Sequence, residues 1–495
     1  MKLTVTGDIN AFYVQTLCMI FFPGEKFEQN PIITEETPIM HVSVTNSESA
    51  SFATATLTYM GKTVTAEKSI DFVPERTKQR SAKIAAGNVV LAVGSEILGY
   101  RPSWGILTGV RPSKVAMEML LNGNSKTKVR KILNNDYYVI PKKASLATDI
   151  ARREQKLIAT PDIKDCSIYI SIPFCPSRCS YCSFVSYTTP KLLSLIPEYL
   201  EKLTEDLSRL LNTVNELKLN LKTIYIGGGT PTILTSDQLE ELLSLIASKI
   251  DVNALEEFTL EGGRPDTITA EKLAVAKKYG ITRISVNPQS LNEQVIKSIG
   301  RSHSIEEFYS AFEIARESGI KCINTDLIAG LPGDNFKYFS STFDKIIALE
   351  PENITVHTFC VKKASDILAK NKDIYSIRGG DAGKCVDYSQ LRAQAAGYIP
   401  YYMYRQKNTV GNFENVGFAQ EGYEGLYNVY MMEEVHSILA VGAGAVTKLV
   451  EYYPANIAST KIMRFFNPKY PYEYLSNNSS SKTDEEIRKF YASHI

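Results

Sequence analysis

The sequence predicts an α/β protein built on an open parallel (β/α)6-type barrel, with an N-terminal α+β extension and a C-terminal α/β region. Three observations carry this prediction. Between residues 161 and 360, short strand-like runs alternate six times with stretches of helical periodicity. Helical stretches there stop at Gly280 and Gly319, glycines placed where a left-handed C-cap hands over to the next strand. The first run, Ile168–Ile172, leads straight into a loop crowded with cysteine, at the strand end where parallel barrels carry their chemistry.

Residues 1–160 form the extension. Alternating runs at Leu3–Val5, Met40–Val44, Phe52–Tyr59 and Lys62–Glu67, with turns at Asn46 and Gly61, predict an antiparallel sheet. Helical patterns follow at Arg76–Tyr100, Lys114–Leu121, Thr127–Leu133 and Lys143–Ile158. In residues 161–360 the later strands are expected at Thr223–Ile226, Glu257–Glu261, Arg283–Asn287, Cys322–Ile328 and Ile354–Phe359. Helices are expected between them at Leu192–Leu217, Asp237–Ile250, Ala270–Tyr279, Ile305–Ser318 and Tyr338–Leu349. Residues 361–495 predict strands at Tyr398–Arg405 and Glu434–Ala440, a polar linker at Asn477–Ser481 and a terminal helix over Thr483–Ser493.

Charge and cysteine usage narrow the function. Lys plus Arg number 55 against 54 for Asp plus Glu, so no strong field favours nucleic acid or an anionic membrane. Three of the eight cysteines are clustered and five scattered, which is not a secreted disulfide framework. The start, MKLTVTGDIN, has no cationic head and apolar core of a leader, and the apolar run Ala11–Phe22, broken by Gln15, is too short to span a bilayer. The expectation is a cytoplasmic monomer with no nucleic-acid partner and no membrane insertion.

The chemistry centres on YISIPFCPSRCSYCSF, Tyr169 to Phe184. Prolines and serines make this stretch a loop carrying Cys175, Cys179 and Cys182. Three thiolates can each take one iron of a four-iron cluster and leave the fourth open. A structural zinc site wants four closed ligands, and a redox CxxC would use Cys179 and Cys182 but leave Cys175 unexplained. After the second strand, Gly227-Gly228-Gly229-Thr230 lets backbone approach a ligand closely, although a strand exit needs glycine too. Glu261 ends the third strand, where a carboxylate can accept hydroxyls or an ammonium, or form a rim salt bridge. In the same EGGRPDT run, Arg264 adds a rim cation suited to a substrate carboxylate. Gln289, Arg301 and Asp326 follow at strand ends and loops; an arginine fork suits carboxylate or ribose oxygens better than lysine does. His357, Lys362 and Lys363 either bind substrate carboxylates or form a satisfied histidine and a solvated face. The tyrosines at 398, 401, 402, 404, 423, 427 and 430 suit packing or a macrocycle platform, with Arg405 and Lys407 as further donors. In GVRPSK, Arg111 and Lys114 either bind an anion at a helix start or flank a helix begun by Pro112.

The CxxxCxYC spacing after a strand resembles the signature of the radical S-adenosylmethionine (SAM) superfamily. Tyr169, six residues before Cys175, together with IPFC and CSF, is similar to the oxygen-independent coproporphyrinogen III oxidase (dehydrogenase) family. GVRPSK resembles the long extension of its HemZ-like branch. The resemblance implies a radical SAM barrel with a [4Fe-4S] cluster on Cys175, Cys179 and Cys182 and with SAM as second cofactor. It implies that Gly228, Gly229 and Thr230 hold the amino and carboxylate end of SAM, and that Glu261, Gln289, Arg301 and Asp326 make further contacts. Gln289 and Asp326 would face a second SAM molecule, and Tyr169 would be catalytic. The implied reaction converts coproporphyrinogen III propionates to vinyl groups, giving protoporphyrinogen IX, with a tetrapyrrole substrate and an unidentified electron donor. A haem-carrying chaperone-like protein and a tetrapyrrole methyltransferase are the alternatives. Two departures matter: Phe184 stands where the dehydrogenases carry a further Cys, and Tyr427 to Met432 lacks the His and Trp of the HNxxYW motif of haem-chaperone relatives.

Overall fold

The computed structural model describes the chain apart from residues 29, 183–185, 361–379, 407–408, 454–459 and 495. Phe184, Lys362, Lys363 and Lys407 therefore lie outside the described residues. The chain forms two compact units, the first holding Met1–Arg152 and taking in Met403–Glu414, the second beginning at Arg153.

In the first unit a four-stranded sheet has the order β1 (Lys2–Gly7), β2 (Ile39–Asn46), β3 (Ala50–Tyr59), β4 (Lys62–Asp71). The β2–β3 and β3–β4 pairs are antiparallel, but β1 runs parallel to β2, which corrects the all-antiparallel expectation. The reason is the connection: the apolar run after β1 folds as the helix Ala11–Phe21 and returns the chain to the starting edge. Alternation does the rest, with Met40, Val42 and Val44 buried on β2 and Ala53, Ala55 and Leu57 on β3. The helix Lys78–Leu98, closed by Gly99 at φ 60°, covers that face. It is long and apolar enough to cross a membrane by composition, yet 67% of that window is buried, as in a core helix. Gly94 lets the ring of Phe21 come in where a Cβ would stand 2.6 Å away.

Deep in the same unit sits a charged pair. Lys143 and Glu414 are both fully buried and hydrogen-bonded, and the indole N–H of Trp104 donates to Glu414 Oε2 at 2.8 Å. The guanidinium of Arg405 lies over the Trp104 ring and donates to the Leu107 carbonyl. Arg405 thus belongs to the first unit's interior, which corrects its expected place among substrate donors.

The second unit carries an eleven-stranded sheet whose centre is six consecutive parallel strands: β5 (Asp165–Ile172), β6 (Asn220–Gly228), β7 (Glu257–Leu260), β8 (Arg283–Ser285), β9 (Cys322–Ala329) and β10 (Asn353–Thr358). Beyond β10 lie β12 (Asn415–Ala419) and β11 (Ile399–Tyr404); beyond β5 lie β13 (Ser437–Val441), β14 (Val446–Glu451) and β15 (Lys461–Phe466). The protein is a mixed α/β fold with a largely parallel sheet. The expected strand at Glu434–Ala440 starts later, because Glu434 caps the helix Leu426–Glu433 in the left-handed region (φ 53°). Asn477–Ser481 is not all linker: the terminal helix begins at Ser479.

Isoleucine, leucine and valine on one face of the parallel strands (Ile168, Ile170, Ile224, Ile226, Leu260, Ile284, Ile323, Ile354, Val356) are buried. The residues between them point the other way and are polar: Tyr169, Tyr225, Thr259, Arg283, Asn324, Asp326, Asn353 and Thr355. One short segment, Tyr423–Tyr427, reaches side chains from five of these strands, so the polar face wraps round it. The Tyr423 carbonyl accepts from Arg283 at 2.6 Å and from Asn353 at 3.0 Å, Leu426 N–H donates to Glu257 at 2.7 Å, and Tyr427 stacks on Tyr225 and Tyr169.

Replacing Glu414 by Gln leaves the Lys143 ammonium buried without its full counter-charge. The expected cost is about 3 kcal/mol, read in denaturant unfolding followed by emission of Trp104, the chain's only tryptophan.

Candidate active site

The cysteine loop leaves β5 at Ile172 and is tied down on several sides. Cys175 N–H donates to the Tyr187 carbonyl at 3.1 Å, Ser180 N–H to Ile299 O at 2.9 Å, and Ser177 Oγ to Gly300 O at 3.2 Å. The glycine loop after β6 is stitched onto it: Gly229 N–H donates to Ile172 O and Thr230 N–H to Phe174 O, both at 2.8 Å. Thr230 Oγ1 also donates to Cys175 Sγ at 3.3 Å. A Cβ on Gly229 would stand 2.5 Å from the Phe174 carbonyl, so only glycine permits this approach. The amides of Gly229 and Thr230 are therefore committed to the cysteine loop, and what this turn offers a ligand is close backbone approach.

Glu261 follows β7 directly and is partly open to the concave face. It accepts from Gly228 N–H and from the Tyr225 side chain. Burial first, and the nearby Asp326 carboxylate second, push its carboxyl up to about 8. Asp326, on β9, has the opposite fate. Burial alone would raise it, but His357 beside it and hydrogen bonds from the Asn324 amide (2.8 Å) and Thr355 hold it below its ordinary value, and Asn287 also donates to it at 2.9 Å. His357, on the neighbouring strand β10, lies 3.7 Å from Asp326 Oδ2.

Gln289 is the strained residue of the site. It holds φ +66°, a conformation that costs a non-glycine residue on the order of 1 kcal/mol. Two backbone bonds to β9 hold it there, Gln289 N–H to Asp326 O at 3.1 Å and Ile328 N–H to Gln289 O at 3.0 Å. Its side chain is buried and Oε1 has no hydrogen-bond partner. Arg301 is also buried, donating to the carbonyls of Asn287 (2.5 Å) and Gly263 (3.3 Å) and to Tyr181 and Cys179, with Nε left unpartnered. Arg301 therefore braces loops and the cysteine segment, with a single donor to spare. Tyr169 stacks on Tyr225 (6.1 Å) and Tyr427 (6.3 Å), and Tyr225 on Tyr427 (4.7 Å). Tyr225 escaped the sequence reading although its place two residues before Gly227 sets it on the polar face, and Tyr427 enters there as part of a tyrosine stripe and at the start of the stretch lacking the HNxxYW motif, not as a neighbour of Tyr169. Tyr398, Tyr401, Tyr402 and Tyr430 are buried packing residues, as the plainer reading had it.

Arg264 corrects an expectation. It is 3% exposed and grips Asp266 with two nitrogens (3.0 and 2.9 Å), Ser177 Oγ at 2.7 Å and Ser302 Oγ at 2.7 Å. Burial would raise Asp266, but these bonds and the Arg264 charge hold it low. Rather than meeting a substrate at the rim, Arg264 clamps the cysteine loop through Ser177, because the Pro265 turn folds its side chain back inward.

These residues suit an iron–sulfur cluster better than a single ion. Among the described residues no group of three or more His, Cys, Asp or Glu side chains can hold one metal ion. The three thiols nevertheless lie near enough to act on one another electrostatically, as ligands to separate irons of one cluster would. Burial pushes the Cys175 thiol up to about 11, so iron binding there displaces a proton. The orphaned atoms of Gln289 and Arg301 add polar capacity for an organic ligand beside the cluster.

Fold and site together define a radical SAM protein: the sequence profile of that superfamily matches residues 169–346. The oxygen-independent coproporphyrinogen-III oxidase-like protein HemZ of Bacillus subtilis is 39% identical over 432 residues, 84% of this chain and 83% of that protein. The haem chaperone HemW of Haemophilus influenzae is 30% identical over 321 residues, 64% of this chain and 77% of its own length. Among solved structures, the coproporphyrinogen III oxidase HemN of Escherichia coli aligns with a TM-score of 0.47 at 20% identity, covering 62% of this chain and 73% of that one. The chain belongs to the HemZ-like branch of the oxygen-independent coproporphyrinogen III oxidase family. Its cofactors are those of the superfamily, a [4Fe-4S] cluster and SAM.

Arg264→Ala should loosen the cysteine loop without touching a cysteine. Chelator challenge of reconstituted protein should show a loss of iron affinity on the order of tenfold, with Arg264→Lys recovering only part, since lysine cannot grip Asp266 with two nitrogens.

Proposed function

We propose that this protein converts propionate side chains of coproporphyrinogen III to vinyl groups, giving protoporphyrinogen IX. The observation that carries the cofactor half of this reading is the unpartnered, buried Gln289 Oε1, held in strained backbone two residues after Asn287, whose carbonyl accepts from the same Arg301 that braces Cys179. The substrate half rests on the relation to the Bacillus subtilis oxidase-like protein and on Tyr169 ahead of IPFC.

In this reading the curved parallel strands are an open barrel, and Cys175, Cys179 and Cys182 hold the cluster. When bound, cluster and SAM supply a 5′-deoxyadenosyl radical able to take a hydrogen atom from carbon. The chain's own residues bind and orient. Gly228, Gly229 and Thr230 let SAM's amino and carboxylate end lie against backbone. Glu261 accepts hydrogen bonds from amine or ribose, and Gln289, Arg301 and Asp326 complete the polar wall. Tyr169, Tyr225 and Tyr427 close the floor of the cavity and keep water from a reactive carbon. On the substrate side, each propionate loses one hydrogen atom, one CO2 and one further electron.

The similarity to HemW favours a second reading, a haem carrier. Against it, Tyr427 stands in the stack where those relatives offer histidine. Anaerobic incubation of cluster-loaded protein with SAM, a reductant and coproporphyrinogen III decides between them. The expected outcome is products lighter by one and two CO2-and-two-hydrogen units. Stoichiometric haem binding without such products would establish the carrier, and a mass gain of one methyl the transferase.

The raised carboxyl of Glu261 gives a pH signature. Donors on a bound ligand favour the carboxylate, so SAM binding below pH 8 should release a proton, and affinity should rise toward about pH 8 and then level. Without ligand, the folded protein keeps a proton that the unfolded chain loses in the ordinary carboxylate range. This stabilising contribution is full at low pH and fades as pH rises through about 8. Calorimetry across pH should show both slopes, and Glu261→Gln should flatten them.

A further inference from the structure

Gln289, Arg301 and Asp326 come from separate stretches of the chain, and Asn287 ties them together. Arg301 Nη1 donates to the Asn287 carbonyl at 2.5 Å. The Asn287 side chain meets Asp326 twice: Oδ1 accepts from the Asp326 N–H at 3.0 Å, and Nδ2 donates to Asp326 Oδ2 at 2.9 Å. Two residues on, Gln289 N–H donates to the Asp326 carbonyl at 3.1 Å. Asn287 is 3% exposed, so water cannot readily replace a lost bond.

The local sequence explains the choice of residue. β8 ends at Ser285, and Val286 N–H still bonds to Asn324 O at 2.9 Å; beyond that, the Asp326 N–H is taken by a side chain. Pro288 biases Asn287 to extended backbone and offers no N–H of its own. A carboxamide presents an acceptor to the peptide N–H and a donor to the carboxylate of the same residue. Aspartate would satisfy the first and oppose the second. Asn324 Nδ2 donates to the other oxygen, Asp326 Oδ1, at 2.8 Å. One neutral amide thus sits on each carboxylate oxygen, ordering it without cancelling its charge. The titratable groups that face Asp326 are His357 from β10, Glu261 from the end of β7 and Tyr225 from β6. Gln289 Oε1 and Arg301 Nε, beside this knot, are buried atoms without partners.

We propose that Asn287 is a positioning residue that locks Gln289, Arg301 and Asp326 into one wall, so that the three meet SAM in a fixed arrangement. Asn287 acts through these neighbours and not by touching the ligand. This rests on the cofactor half of the proposed function and is independent of the substrate.

Calorimetry of SAM binding to the cluster-loaded full chain tests it with Asn287→Ala, Asn287→Asp and double variants. Asn287→Ala should weaken SAM about tenfold. Asn287→Asp keeps the size and the acceptor for the Asp326 N–H, but sets a second carboxylate against Asp326. Glu261 adds to that repulsion, and Arg301 and His357 are the cationic groups near it. Asn287→Asp should therefore be worse than Asn287→Ala at about pH 8 and recover to the Asn287→Ala level at about pH 6, as the pair takes up a proton. A packing role predicts the reverse, with the same-sized variant the milder at both pH values. The losses from Asn287→Ala and Asp326→Ala should overlap in the double variant, while those from Asn287→Ala and Glu261→Gln should add. Denaturant unfolding without SAM supplies a ligand-independent arm. The stability gap between parent and Asn287→Asp should widen as pH rises, because the proton shared by the two carboxylates is then lost. The proposal is overturned if Asn287→Ala binds SAM as the parent does, or if Asn287→Asp is the milder variant at about pH 8. It is also overturned if the Asn287→Ala and Asp326→Ala losses add, or if the stability gap ignores pH. A parent that shows the gap but binds no SAM sinks the cofactor reading, and with it the role of Asn287 though not its contact with Asp326.

Discussion

Hydrogen bonds from several elements fix the cysteine loop, and the rest of the site is arranged around that restraint. Tyr187 holds it from the following segment, the Gly229–Thr230 turn from β6, Ile299 and Gly300 from the loop before Arg301, and Arg264 from the turn after β7. Four separated stretches of sequence thus converge on eight residues. A loop so held presents its thiols with little conformational freedom left to lose, which is how a supporting shell converts a flexible loop into a binding site.

The same economy explains the two carboxylates. Glu261 and Asp326 feel each other across the concave face, yet one is raised and the other lowered. The difference lies in donors: Asp326 has two amides and a histidine, whereas Glu261 has one backbone amide and a phenol and no cation. Two acids of nearly the same chemistry are thereby given different protonation states near neutral pH, the usual device for assigning them different tasks. Tyr427 of the Tyr423–Tyr427 segment lies close to Glu261 and adds buried aromatic surface around it, against Tyr225 and Tyr169.

Much of this was legible in the residues. The six parallel strands follow from runs such as TIYIGG and RISVN, where aliphatic side chains alternate with polar ones. That alternation also announced a polar interior, since a parallel sheet buried in oil on both faces reads as continuous hydrophobic. What the chain could not announce were partnerships between distant positions. Arg264 beside a strand end looks like a rim cation until the Pro265 turn brings it onto Ser177. Tyr427 lies more than 200 residues from both Tyr169 and Tyr225, and nothing local marks it as their neighbour. Arg405, near the tyrosine stripe in sequence, goes to Trp104 because Met403–Glu414 rejoins the first unit. The β1–β2 pairing was missed for a related reason: strand direction depends on the connection, and the intervening helix had been weighed only as a membrane span.

Gln289 carries a consequence of its own. Its backbone would be relaxed by glycine, so glutamine is kept there against a backbone preference; in the proposed reading, a bound ligand is what its unpartnered Oε1 answers. Drift in a gene copy freed from its chemistry would erode this position early, well before the aliphatic strands or the cysteines' neighbours changed. In that reading the identity of residue 289 is a one-letter gauge of whether a descendant of this chain still handles its ligand.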